Sequence, residues 1–309
     1  MSEQFDTHPD FSKLHAVALS FNPLLLSVMN GALGLVADVK FRKFRDIVRR
    51  ESCVAADGHR VPLRVVEPED LPTPGAALLY FHGGAFIMKH TPQHVINAVS
   101  YARGSRCRVI FVDYRLAPRH PFPAPFHDCY AALQWALQNA DRLGIDRRRI
   151  AVGGDSAGGA LAASAAQKAR DDGIELCGQL LLYPVADADC NTPSGQRFVD
   201  VAPMKRYSTR ASWEAYLGHA IEADKARYAS PLHGKLEGLA PAYVETTEFD
   251  PLHDESLAYA SALMASGVDV ELNETHRTVH GYDLVAPASA LSKAAIAARV
   301  QFLRKIFQS

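Results

Sequence analysis

The sequence predicts an α/β fold: a mostly parallel central sheet with helices on both faces and a helical cap. Three observations carry this. From about residue 46, apolar runs of strand length alternate with segments of helical spacing, which implies βαβ crossovers and a parallel sheet. The alternation breaks over residues 186 to about 228, where polar loops surround a helix-like stretch. An apolar segment also precedes every strand. The 309 residues suffice for one large domain with an insertion. Residues 1–45 are therefore expected to form the N-terminal part of the cap. Residues 46–309 form the main domain, with the cap insertion at about 186–228.

The elements follow in order. "LHAVALSFNPLLLSVMNGALGLVADV", Leu14 to Val39, is apolar but interrupted by Asn22, Pro23, Asn30, Gly31 and Gly34. It is expected to form one or two amphipathic helices that cover something, not a stable membrane span. "DIVRRESCVAADGHRVPLRVVEP" places two β-like runs around Asp57-Gly58, a hairpin dipeptide. Then "GAALLYFHGG" predicts a strand, "PQHVINAVSYARG" a helix and "CRVIFVDY" a strand. "PFHDCYAALQWALQNADRLG" predicts a helix ending at Gly144, and "RRIAVGG" the next strand. "SAGGALAASAAQKARDDG" reads as a helix and "CGQLLLYPV" as a strand. After the interruption, which holds the helix-like "RASWEAYLGHAIEAD", come the strand "PAYVETTEF" and the helix "DESLAYASALMASG". The strand "VDVELNE" and the closing helix "SALSKAAIAARVQFLRKIF" complete the series.

A formal net charge of −1 leaves no whole-chain electrostatic footprint for nucleic acid or an anionic membrane, so the expected partner is a small molecule. The five cysteines are scattered without a CxxC pair, which reads as reduced buried thiols instead of a disulfide frame or zinc site. Glu3, Asp6 and Asp10 against a single Lys13 give the wrong charge for a secretory leader, and a cytoplasmic location is expected.

Gly154-Asp155-Ser156-Ala157-Gly158 fits G-x-S-x-G, with a strand ahead and a small-residue helix behind. Small residues suit a sharp turn that lifts the Ser156 hydroxyl above the sheet edge, at a helix N-terminus that favours developing negative charge. The pentapeptide alone also suits a phosphate-binding turn or a plain helix cap. "HGGAF", His82 to Phe86, ends an early strand with two glycines whose N–H groups can point at an oxyanion. "TTEFDPLHDE" puts Asp250 just beyond a strand, and "TVHGYD" puts His280 in a loop after the last strand. His276 and His253 are rivals to His280, and Asp254 and Asp283 to Asp250. Asp254 suits a helix start, and Asp283 follows His280 too closely to be positioned by a separate loop. Asp155 is expected to brace the turn by hydrogen bonds.

With these motifs in this order, the chain from about Val54 resembles the hormone-sensitive-lipase-like branch of the α/β-hydrolases, which includes many microbial carboxylesterases. "DYRLAPRHPFPAPFHDCYAALQW", "SPL", "EFDPLHDE" and "HGY" extend the resemblance. It implies Ser156 as nucleophile, His280 as base and Asp250 as the acid that orients it, with the backbone N–H groups of Gly83, Gly84 and Ala157 as oxyanion hole. It further implies hydrolysis of small to medium acyl esters through an acyl-enzyme, without metal or cofactor. The same fold also serves non-catalytic ligand receptors and hydrolases of amide, lactone or formyl substrates. Ala85 stands where the family often has a third glycine, and Arg119 where an acidic residue is common.

Two expectations concern surfaces. Phe21, Leu25 and Met29, with Leu24, Leu26 and Leu33 around them, are expected to supply the acyl-contacting wall of a substrate pocket roofed by the N-terminal segment and residues 186 to about 228. "VDVELNE" as the last strand of an open sheet is expected to pair with its copy in a twofold homodimer.

Overall fold

The computed structural model describes residues 5–11, 14, 22–198, 200–203, 206–218 and 228–308. Its centre is an eight-stranded sheet of order β1-β2-β4-β3-β5-β6-β7-β8. β1 (Val48–Val54) and β2 (Arg60–Val66) form the expected hairpin. Gly58 takes φ +81° in its turn, and the Asp57 carboxylate accepts from the His59 N–H at 3.1 Å. β2 also runs antiparallel to β4 (Arg108–Val112). All other pairings are parallel, among β3 (Gly75–Phe81), β4, β5 (Ile145–Asp155), β6 (Gly178–Leu182), β7 (Ala242–Phe249) and β8 (Val270–Val279). β3, β4 and β6 are buried at every residue, as strands covered on both faces must be.

The helices, in chain order, are α1 (Pro23–Arg42), α2 (Pro92–Ser105), α3 (Ala124–Gln138), α4 (Ala140–Leu143) and α5 (Ala157–Asp171). They continue with α6 (Pro193–Arg197), α7 (Arg206–Leu217), α8 (His253–Ala265), α9 (Tyr282–Val285) and α10 (Ala290–Gln308). Alternate residues of β3 feed two cores. Leu79 and Phe81 pack with Leu133 of α3, Leu161 of α5 and Tyr259 of α8. Leu78 and Tyr80 pack with Val95 of α2, Phe302 of α10 and Phe41 of α1.

Two details differ from expectation. The helix predicted to Gly144 breaks at Asn139 into α3 and α4, because Asn139 leaves the helical conformation at φ −101° and ψ 13°. The last strand runs on to Val279, past the predicted end at Glu274. α1 is continuous from Pro23 through Asn30, Gly31 and Gly34, and it is long and apolar enough to cross a membrane by length and composition. Yet it packs on the domain. Leu26, Ala37 and Phe41 are buried, and the Asn30 amide donates to Ile87 O and accepts from the Lys89 N–H. Of the helix predicted over 210–224, the part up to Leu217 lies in α7, and 219–224 fall outside the described residues.

Candidate active site

Ser156, Asp250 and His280 stand at the C-terminal ends of β5, β7 and β8, the edge of a parallel sheet where ligands bind. Ser156 takes φ +53° and ψ −119°, a strained conformation for a residue with a Cβ. The sharp turn closes because Gly154 and Gly158, on either side of Asp155-Ser156-Ala157, lack side chains. A Cβ on Gly158 would lie 2.0 Å from Phe81 O, and one on Gly154 would lie 2.4 Å from the same atom. The turn is locked by Ser156 N–H donating to Leu182 O at 2.8 Å and Val185 N–H donating to Ser156 O at 3.1 Å.

The side chains converge. His280 Nε2 lies 2.9 Å from Ser156 Oγ, and its Nδ1 lies 2.7 Å from Asp250 Oδ2. A carboxylate only accepts, so Nδ1 carries the proton and Nε2 presents its lone pair to the hydroxyl. Asp250 is fully buried, and Thr247 Oγ1 and the Leu252 N–H also donate to it, at 2.5 and 2.8 Å. Burial works against a charged His280, but the Asp250 carboxylate outweighs it and holds the imidazole pKa above its ordinary value. The rivals lie elsewhere. His276 is exposed beside Glu248, His253 Nδ1 donates to Thr247 O, and the Asp254 carboxylate accepts from the Ser194 N–H.

The loop after β3 closes the other side. His82 Nδ1–H donates to Gly83 O at 2.7 Å, and its ring stacks on Tyr114 at 4.4 Å, whose hydroxyl donates back to His82 O. Gly84 takes φ +126°, and Ala85 and Phe86 follow at +56° and +62°. A Cβ on Gly83 would sit 2.2 Å from Asp155 Oδ2. Asp155 is the brace beneath, accepting from Tyr80 Oη at 2.6 Å and from His94 Nε2 at 3.1 Å. Burial alone would raise its pKa; His94 and Tyr80 reverse that and bring it down to about 2. Among the described residues, the N–H groups of Gly83, Gly84 and Ala157 donate to no protein acceptor. Ala157 directly follows Ser156, and Gly84 lines the same cleft as Ser156.

Ser156 and His280 open into a cleft of about 670 Å³ whose wall includes Met29, Leu33, Met88, Tyr183, Leu284 and Val285. Of the expected pocket residues, Met29 and Leu33 line it. Leu25 does not: it lies one turn before Met29, where α1 has passed the rim, and is 57% exposed. Leu24 and Leu26 border a separate cleft on the other side of α1, and Phe21 lies outside the described residues. Pro203 of the predicted insertion reaches the cleft, and Trp213 and Tyr216 of α7 pack on Phe86 of the loop at 5.3 and 3.9 Å.

Several residues here escape a reading of the sequence. Tyr183 sets its ring edge to face with His280 at 5.0 Å, and its hydroxyl donates to Asp283 at 2.6 Å. Asp283 also accepts from Asn97 and from Arg299, a fully buried cation that is paired with Glu245. Tyr80, His94 and Tyr183 carry no motif, whereas Thr247 lies within "TTEFDPLHDE" and Leu284 and Val285 directly follow "HGYD", so these could have been placed beside the site.

Comparison with known proteins agrees with this architecture. A family model described as alpha/beta hydrolase fold matches residues 78–284. The carboxylesterase NlhH of Mycobacterium tuberculosis is 36% identical over 305 residues, covering 94% of this chain and 95% of that protein. An ethyl acetate hydrolase of Pseudomonas putida is 34% identical, covering 77% of this chain and 76% of its own. Among solved structures, the esterase LipW from Mycobacterium marinum superposes with a TM-score of 0.89 at 30% identity, covering 98% of this chain and 97% of its own. A bacterial heroin esterase reaches 0.86 at 34% identity, covering 98% and 99%. The chain belongs to the hormone-sensitive-lipase-like carboxylic ester hydrolases of the α/β-hydrolase fold.

Proposed function

We propose that the protein is a serine carboxylesterase that hydrolyses small to medium acyl esters through Ser156, His280 and Asp250. The observation that carries this is the relay from Asp250 through His280 to Ser156 Oγ, ending in an apolar cleft. His280 Nε2 takes the Ser156 proton as Oγ attacks the ester carbonyl, and Asp250 holds the tautomer and stabilises the imidazolium. The oxyanion accepts from Gly83, Gly84 and Ala157 N–H, donors that need no reorganisation as charge develops. His280 then protonates the leaving alcohol, and an acyl-Ser156 ester remains. Water, deprotonated by the same nitrogen, attacks that ester and releases the acid.

Met29, Leu33 and Pro203 in the wall support α1 and the 186–228 insertion as the two parts of the cap. The lining is mostly apolar, which suits an acyl chain, and Lys89 within it is already paired with Asp113. All five cysteines are free thiols, which supports a cytoplasmic setting. Among the described residues β7 is the strand that pairs with β8, and the outer edge of β8 supports a twofold dimer.

The test is a p-nitrophenyl ester series from acetate to decanoate, with intact-mass detection of the acylated chain. Turnover is expected to peak at short or medium acyl length. No turnover of any ester, alongside tight binding of an ester analogue, would make the protein a receptor instead. Cleavage of amides or lactones in preference to esters would change the substrate class.

A further inference from the structure

The inner face of α1 serves the cleft, but the outer face is unexplained. Leu24, Leu25, Val28, Leu35, Val36 and Val39 are between 47% and 73% exposed. At about 100° per residue they fall on one side of the helix, with the small residues Gly31 and Ala32 among them. No acidic residue lies on this face. Asp38, the one acid of α1, points back to Arg64 at 2.8 Å.

The C-terminal end of the stripe is basic. Lys40, Arg42, Lys43 and Arg45 lie within six residues, and among the described residues no carboxylate pairs with Lys40, Arg42 or Lys43. A whole-chain charge of −1 averages this cluster away. Part of its role is to complement the helix dipole, yet Arg42 and Lys43 continue the exposed apolar side and do not turn toward the domain.

We propose that this face of α1 docks in the plane of an anionic lipid surface and brings the cleft mouth to esters dissolved there. This inference rests on the ester-hydrolase reading for its purpose, though not for its binding. An apolar side ending in unpaired cations is the pattern of an interfacial helix. Insertion as a span is opposed by the packed face: Leu26, Ala37 and Phe41 are buried, and Asn30 is hydrogen-bonded into the loop of Ile87 and Lys89. A second copy of the chain matches less well, since the stripe offers no carboxylates to meet its own cations. Docking on this side leaves Met29 and Leu33, on the other flank of the helix, next to the substrate entrance.

The test is co-sedimentation of the full chain with vesicles of phosphatidylcholine containing phosphatidylglycerol, and with phosphatidylcholine alone. The variants are Val28→Asp/Leu35→Asp and, separately, Lys40→Gln/Arg42→Gln/Lys43→Gln. The wild type is expected to bind the anionic vesicles and to release with rising salt. Each cation removed is expected to weaken binding about fivefold, and the paired aspartates to abolish it. Hydrolysis of water-soluble p-nitrophenyl acetate should stay unchanged in both variants, while hydrolysis of an ester embedded in anionic vesicles falls with binding. Vesicle binding without hydrolysis of any ester would sustain the docking surface and remove the ester-hydrolase reading. A wild type that binds neither vesicle overturns the docking proposal, as does one that dimerises without lipid and becomes monomeric on Val28→Asp.

Discussion

Ala85 shows what one residue can and cannot reveal. The sequence marks it as a departure from a third glycine, and the structure places it at φ +56°, a region costly for any residue with a Cβ. Ala85→Gly relieves that strain and loosens the unfolded chain, two effects of roughly 1 kcal/mol that oppose each other. Its melting temperature and ester turnover are expected to stay near wild type. Ala85→Val puts a β-branched residue there and should cut turnover; a fully active Val variant would show that this loop does not form the oxyanion hole. His280 supplies a pH test. Its pKa is raised, and only neutral imidazole acts as base, so kcat/KM should fall on acidification with its midpoint above 6.5, the ordinary histidine value. An acid limb below that value would remove the Asp250 assignment. Ser156, Asp250 and His280 were legible because each sits in a motif at a strand end. His94 and Tyr183 were not, because their role arises from side chains meeting across the fold, at sequence distances that no local pattern records; Thr247, close before Asp250 in the same segment, was passed over within its motif.

Among the elements, strands were the most legible, since fully buried parallel strands leave continuous apolar runs. Helix ends and the phase of α1 were less so. The segment was read as covering something, but which turn reaches the cleft depends on where α1 crosses the rim, and that is set by the anchoring of Asn30 and Phe41. This yields a contrast within one helix. Met29→Ala removes methylenes from the cleft wall, each worth about 0.8 kcal/mol when buried against an acyl chain, and should shift the ranking of acyl lengths several-fold. Leu25→Ala, on the exposed side, should leave the ranking of soluble esters as it is. Equal profiles for Met29→Ala and wild type would exclude α1 from the pocket.

For the whole molecule, the sheet order brings three distant strand ends to one point, and α10 braces that point through Arg299, buried between Glu245 and Asp283. Among the described residues the β8 edge is open over its first part, while His8 N–H already bonds Arg277 O near its end. A twofold dimer would therefore pair the stretch around Leu272, and light scattering at micromolar concentration should give twice the chain mass. A monomer throughout would dismiss it. The central claim is that these strand ends make one catalytic unit, and the most direct measurement is hydrolysis of p-nitrophenyl butyrate by Ser156→Ala. A loss on the order of a million-fold in turnover is expected, with melting temperature unchanged, because triad members act together. A folded variant that keeps about a tenth of the wild-type rate would contradict the account, since without the nucleophile only a small residual acceleration survives.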